Sequence, residues 1–160
     1  MKVGITGHQR LEDASGWDWV KMEMDNFLAK LRRPLVGITC LAEGADSLFA
    51  ELVLQHGGSL EAVVPFPEYE LLLPAHQRNR YRALLDAASV ITVLEKRRSK
   101  QESYFAAGKK VVDATDLLLA VWDGKPAKGL GGTADIVKYA RQELKPVIHV
   151  DPIRRSVTDG

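Results

Sequence analysis

The sequence predicts a three-layer α/β/α sandwich, a mostly parallel sheet of about six strands with helices on both faces. Short β-branched or apolar runs alternate with longer stretches of helical periodicity, the pattern of repeated βαβ units. Leu117 to Val121 is a continuous apolar run, as expected of a central parallel strand buried on both faces. Glycine-bearing turns follow three of the strand-like runs, where open parallel sheets hold their ligands. Together these describe a Rossmann-like fold.

The elements follow in order. Lys2 to Thr6 reads as the first strand. Val20, Met24, Phe27, Leu28 and Leu31 then fall on one face of a helix that ends by Pro34. Leu35 to Thr39 is the second strand. The next helix begins near Ala42, buries Leu48, Phe49, Leu52 and Val53, and closes at Gly57-Gly58 as a left-handed cap does. Leu60 to Pro65 is the third strand. Pro67 to Arg80, with two prolines and several polar residues, reads as a loop with a short helix, and Tyr81 to Ala88 as helix. Val90 to Leu94 is a fourth strand, Lys96 to Lys100 a charged turn, and Gln101 to Val112 a helix. After Leu117 to Val121 comes a loop to Gly132, a helix from Thr133 to about Glu143, and a last strand at Val147 to Val150. One domain spans residues 1–152, and 153–160 reads as a frayed tail.

Composition narrows the function classes. Hydrophobic residues make up 46% and charged residues 27%, ordinary for a globular chain. The formal net charge is +1, so no overall field draws in nucleic acid or anionic membrane. Cys40 is the single cysteine, so no internal disulfide and no cysteine-rich zinc site is expected. No apolar run reaches the roughly 20 residues of a membrane helix. The start runs directly into Val3-Gly4-Ile5-Thr6 without a signal-peptide pattern, so a cytoplasmic protein is expected.

The candidate site lies on three turns: Gly7-His8-Gln9-Arg10, Thr39 to Asp46, and Trp122 to Thr133. Glycine lets backbone N–H groups approach a phosphate, and a helix start adds unpaired N–H groups and a positive dipole end. Gly131-Gly132-Thr133 before a helix meets both needs, with Gly124 and Gly129 shaping the preceding loop. The Thr133 hydroxyl suits either a helix cap or a phosphate oxygen. GxGxxG after the first strand is absent, which removes the dinucleotide fingerprint, and GxxxxGK[ST] is absent, which removes the P-loop.

The segments Gly4 to His8 (GITGH), Leu41 to Asp46 (LAEGAD) and Ala120 to Asp135 (AVWDG and GLGGTAD) resemble the SLOG superfamily. That superfamily groups the cytokinin-riboside monophosphate hydrolases (Lonely Guy proteins), the DNA-processing protein A family and related nucleotide sensors. Within it the chain looks most like small stand-alone bacterial members. The resemblance implies a Rossmann-like fold, a nucleotide or nucleotide-derived ligand, and a homodimer or higher homo-oligomer. Lonely Guy hydrolases carry PGGxGTxxE with a catalytic final glutamate. Aligned on Gly132-Thr133, this chain has Ile136 there, with Asp135 one position early and so about 100° around the helix. The second turn is similar to that of the DNA-processing proteins, with Glu43 in place of a basic residue, and a carboxylate there repels a nucleic-acid backbone.

Individual residues admit two readings each. His8 suits a phosphate or ribose contact or acid–base work near neutral pH, or a loop hydrogen bond. Arg10 suits a bidentate phosphate contact or solvent. Glu43 is the better candidate for a ribose contact or general base, and Asp46 for a structural cap. Trp122 stacks on a base or closes the core, and Asp123 binds a ribose hydroxyl or orders the Asp-Gly turn. Thr39, Leu41, Ala42 and Gln9 complete the expected nucleotide contacts. The leading expectation is a nucleotide-binding or sensor protein for a nucleoside phosphate or ADP-ribose-like ligand, with no cofactor and no metal. The alternatives are an N-glycosidase acting on nucleoside phosphates, drawing on Glu43, Asp135 or His8, and single-stranded nucleic-acid binding, which near-neutral charge and scarce aromatics argue against.

Overall fold

Strand and helix alternate from end to end in the computed structural model, which describes all 160 residues, Met1–Gly160. The order is β1 (Lys2–Gly7), α1 (Gly16–Ala29), β2 (Val36–Thr39), α2 (Ala45–Gln55) and β3 (Ser59–Val64). A single 3₁₀ turn (Tyr69–Leu72) and α3 (Ala75–Ala87) lead to β4 (Val90–Val93) and α4 (Lys100–Ala114). The chain ends with β5 (Leu117–Val121), α5 (Thr133–Gln142), β6 (Val147–Asp151) and β7 (Ser156–Asp159).

The sheet has seven strands in the order β4-β3-β2-β1-β5-β6-β7. β1 to β6 are parallel, and β7 runs antiparallel to β6, with Val150 opposite Val157. Alternation along the strands separates two cores. Val3, Ile5, Leu60, Leu119 and Val150 face α1, α2 and α3 with Val20, Met24, Phe49 and Tyr81. Leu118, Ala120 and Val147 face the other way, onto Val112, Ile136 and Ala140 of α4 and α5. Every residue of β5 is buried, which explains its uninterrupted apolar run.

Strand order reverses at β1. The chain builds outward through β2, β3 and β4, then returns to place β5 on the other side of β1. Such a switch point opens a crevice at the carboxyl ends of the two strands.

The structure departs from the sequence reading in three places. β7 forms from residues expected to be frayed, so the sheet gains a seventh strand and β1, not β5, is its middle. The tail is tied down by paired hydrogen bonds between Val147 and Gly160. α3 starts at Ala75 and takes in residues expected in a loop, because buried Gln77 fills the inward slot ahead of Tyr81 and Leu84. Its Nε2 donates to Ser47 Oγ at 2.9 Å, so a polar side chain occupies an apolar position in the helical pattern. α2 begins at Ala45 rather than Ala42, because Leu41 and Gly44 both have positive φ, 56° and 84°, which a helix cannot include. The fourth strand forms where expected, as a thin edge of the sheet: Val90, Ile91 and Val93 are each about half exposed.

Candidate functional site

A cavity of about 650 Å³ occupies the crevice at the β1–β5 switch point. That volume suits a small-molecule ligand. Of the expected contacts, Gly7, His8, Gln9 and Arg10 line it from the first turn, and Ala42 and Asp46 from the second. Trp122, Asp123, Gly131, Gly132 and Thr133 line it from the third. Thr39 and Leu41 are buried beneath it, while Glu43, Gly124, Gly129 and Asp135 lie outside its lining.

The three glycine turns do different work. In the second, the amide of Ala45 at the start of α2 donates to the His8 carbonyl at 3.1 Å. A Cβ on Gly44 would collide with the Gln9 carbonyl oxygen and approach that of His8 to 2.6 Å. This glycine therefore lets the β1–α1 loop lie on the start of α2, where the first amide of that helix is spent on the loop. In the first turn, the amide of His8 donates to Val121 O at 3.0 Å and is likewise spent. In the third, the amide of Gly131 donates to the Asp135 carboxylate at 3.0 Å. The Asp135 carboxylate is thus engaged locally, closing the turn before α5. At the start of α5 the amides of Gly132, Thr133 and Ala134 line the cavity and have no acceptor within the protein.

His8 is held by the opposite wall. The amide of Asp123 donates to His8 Nε2 at 3.1 Å, which leaves Nδ1 as the protonated nitrogen of the neutral ring. The Asp123 carboxylate lies 3.4 Å from the same Nε2, so protonation of the ring would exchange the amide contact for an ion pair. Burial acts to raise the Asp123 carboxyl, but the Lys125 amide, the adjacent His8 and the Lys125 charge outweigh it and hold it below the usual range.

Glu43 is turned across the mouth, between Arg10 Nη2 at 3.5 Å and His76 Nε2 at 3.3 Å. Arg10 is exposed, so the pair is a mobile surface contact worth little energy. Asp46 sits in the floor, where Thr39 Oγ1 and the Cys40 amide donate to its Oδ2, each at 3.1 Å. Burial pushes its carboxyl up to about 6, against the pull of those contacts. Trp122 forms part of the wall. Its indole N–H donates to Lys125 O at 2.8 Å and its ring lies 5.1 Å from that of His149.

Ile136, at the position that the sequence resemblance aligns with a glutamate, lines the cavity but is only 3% exposed and packs against α4. A Cβ on Gly108 would overlap its Cδ1, so the two helices meet at bare backbone there. Two aromatic wall residues stand outside the expected nucleotide contacts: Tyr69, whose irregular loop was expected to cover the pocket, and Tyr104, which the sequence did not mark. Tyr69 follows β3 in a proline-rich stretch without periodicity, and Tyr104 lies on a helix face indistinguishable from core by spacing. Only the topology brings both to the switch point.

No family model matches the chain, and no curated protein matches it in sequence. Solved structures do. DNA processing protein A from Streptococcus pneumoniae superposes with a TM-score of 0.66 over 94% of this chain and 50% of its own, at 16% identity. The likeness shows the fold, a Rossmann-like α/β sandwich. DNA processing protein A from Helicobacter pylori, described in a single-stranded DNA binding mode, is similar with a TM-score of 0.66 and 20% identity. That match covers 94% of this chain and 65% of the other. The Moco carrier protein of Chlamydomonas reinhardtii follows at a TM-score of 0.55 and 17% identity, over 92% of this chain and 74% of its own. The chain therefore spans half to just under two thirds of the DNA processing proteins it matches.

Proposed function

We propose that this protein binds a nucleoside phosphate or a related nucleotide derivative in the switch-point cavity, as a carrier or sensor without chemistry of its own. The observation that supports it is the start of α5. Free amides of Gly132, Thr133 and Ala134 open onto a cavity that also presents His8 and Asp123. Helix N-terminal amides with a positive dipole end attract a phosphate. The two carboxylates with most claim to act on an N-glycosidic bond, Glu43 and Asp135, lie outside that cavity or cap a turn.

Calorimetric titration with AMP, ADP-ribose and ribose 5-phosphate tests the reading. The informative variant is Thr133→Asp, since a side chain on Gly132 would press on Ala127 Cβ at 2.8 Å and disturb the loop. An aspartate in the first turn of a helix favours folding, so lost binding reports repulsion of the phosphate rather than unfolding. Expected is binding by the unaltered protein and its loss in the variant. Equal affinity in both removes the phosphate from α5.

A second reading, binding of a single-stranded nucleic acid, is favoured by the exposed cations around the same edge: Arg10, Lys125, Lys128 and the Lys96 to Lys100 turn. It predicts oligonucleotide affinity that falls steeply with salt. On the leading reading the protein acts in the cytoplasm as a homodimer or higher homo-oligomer, which light scattering tests. No helix is long and apolar enough to cross a membrane.

A further inference from the structure

The cavity continues past the phosphate-facing turn to an aromatic end, where Tyr69 and Tyr104 form its wall. Tyr69 is only 4% exposed. Its ring is fixed by near-perpendicular contacts with Phe66 at 5.9 Å, Tyr81 at 5.7 Å and Tyr104 at 6.2 Å between centroids. Such edge-to-face packing holds a ring in one orientation. Yet its hydroxyl makes no hydrogen bond within the protein, although it is not sealed from the cavity. The hydroxyl therefore stays free to bond whatever enters the cavity, and a ligand that displaces solvent there gains by replacing that bond.

We infer that Tyr69 and Tyr104 form a ring subsite for a planar nitrogen heterocycle, with the Tyr69 hydroxyl donating to a ring nitrogen or an exocyclic carbonyl of the ligand. This deepens the phosphate-pocket reading and rests on it. From β5 to β3 is three strand spacings, roughly 14 Å along the sheet edge. The phosphate, sugar and base of a nucleoside monophosphate, laid end to end, fill such a span. Burial, with the nearby Cys40 and Asp46, raises the Tyr69 phenol far above its usual range, so it stays protonated and can donate. The contact would select for the ring, just as the α5 amides select for the phosphate.

The experiment is calorimetric titration of AMP, adenosine and ribose 5-phosphate into the unaltered protein, Tyr69→Phe and Thr133→Asp. Phenylalanine keeps the ring and its three aromatic contacts, and an unchanged urea midpoint verifies folding. Loss of one neutral hydrogen bond should weaken AMP and adenosine roughly five- to tenfold in Tyr69→Phe. Ribose 5-phosphate should be unaffected by that change. Thr133→Asp should lose AMP and ribose 5-phosphate yet keep adenosine. If Tyr69→Phe leaves AMP and adenosine affinity untouched while Thr133→Asp abolishes AMP binding, the ring subsite is overturned and the phosphate pocket stands. If adenosine binding depends on Tyr69 while Thr133→Asp changes nothing, the ring subsite survives and the phosphate placement falls. If no probe binds the unaltered protein, both are overturned.

Discussion

Replacing Asp46 by asparagine should reverse one part of the protein's pH dependence. The Asp46 carboxyl is 6% exposed and rises from 3.8 to about 6 on folding, because burial disfavours its charge. A group whose folded value is raised takes up its proton earlier in the folded state. Its charge therefore costs stability above about pH 6, and the cost disappears as pH falls toward 4. A rise of about two units at roughly 1.4 kcal/mol per unit sets an upper bound of about 3 kcal/mol. Asparagine fills the same volume, still accepts from Thr39 Oγ1 or the Cys40 amide through its carbonyl oxygen, and never carries charge. Urea denaturation of both proteins at pH 4.5 and pH 7 isolates the effect, since other groups cancel in the difference. Asp46→Asn should gain about 1–3 kcal/mol relative to the native protein between the lower and the higher pH. For a chain of this size that is roughly 3–10 °C in Tm. Parallel stability curves for the two proteins would refute the buried-charge argument.

Other substitutions probe the turns. Gly44→Ala forces a side chain into a φ of 84° and against the carbonyls of His8 and Gln9. A loss of more than about 3 kcal/mol in a urea melt, or failure to fold, is expected. Asp135→Asn keeps an acceptor near the Gly131 amide but removes a negative charge beside the proposed phosphate. AMP should bind severalfold tighter at low salt, and the gain should shrink with added salt; unchanged affinity would detach Asp135 from the ligand site. Purified protein should release no base from AMP above background, and Glu43→Gln should leave that unaltered. Turnover lost in Glu43→Gln would restore the glycosidase reading.

The sheet and its layers were legible because periodicity reports burial directly. β5, buried on both faces, reads as five apolar residues, and α5 reads as an amphipathic stretch after a glycine turn. β7 was illegible because Ser156–Asp159 is a short, exposed edge whose register is set by pairing with β6 rather than by its own pattern. Within the site, residue types were visible but their partners were not. LAEGAD and GLGGTAD both look like phosphate turns in sequence. Only the packing of the β1–α1 loop on Gly44, and the reach of Asp135 back to Gly131, separates a closed turn from an open one. Tyr69, in the irregular stretch after the third strand, could be read as part of a loop near the pocket, but its packing against Tyr104 across the sheet edge could not.

The close contact of Gly108 with Ile136 has a consequence for how this chain can change over generations. The sequence resemblance to Lonely Guy hydrolases aligns Ile136 with their glutamate, so a single substitution would write that acid into this chain. That single step carries a cost here. Glutamate at 136 would lose an apolar contact fitted to bare backbone on α4 and place a carboxylate at a cavity-wall position that is 3% exposed. Acquiring the acid without that cost requires earlier changes that part the two helices or fill the gap from α4. The order of substitutions, more than their number, then governs which activities lie within reach of this scaffold.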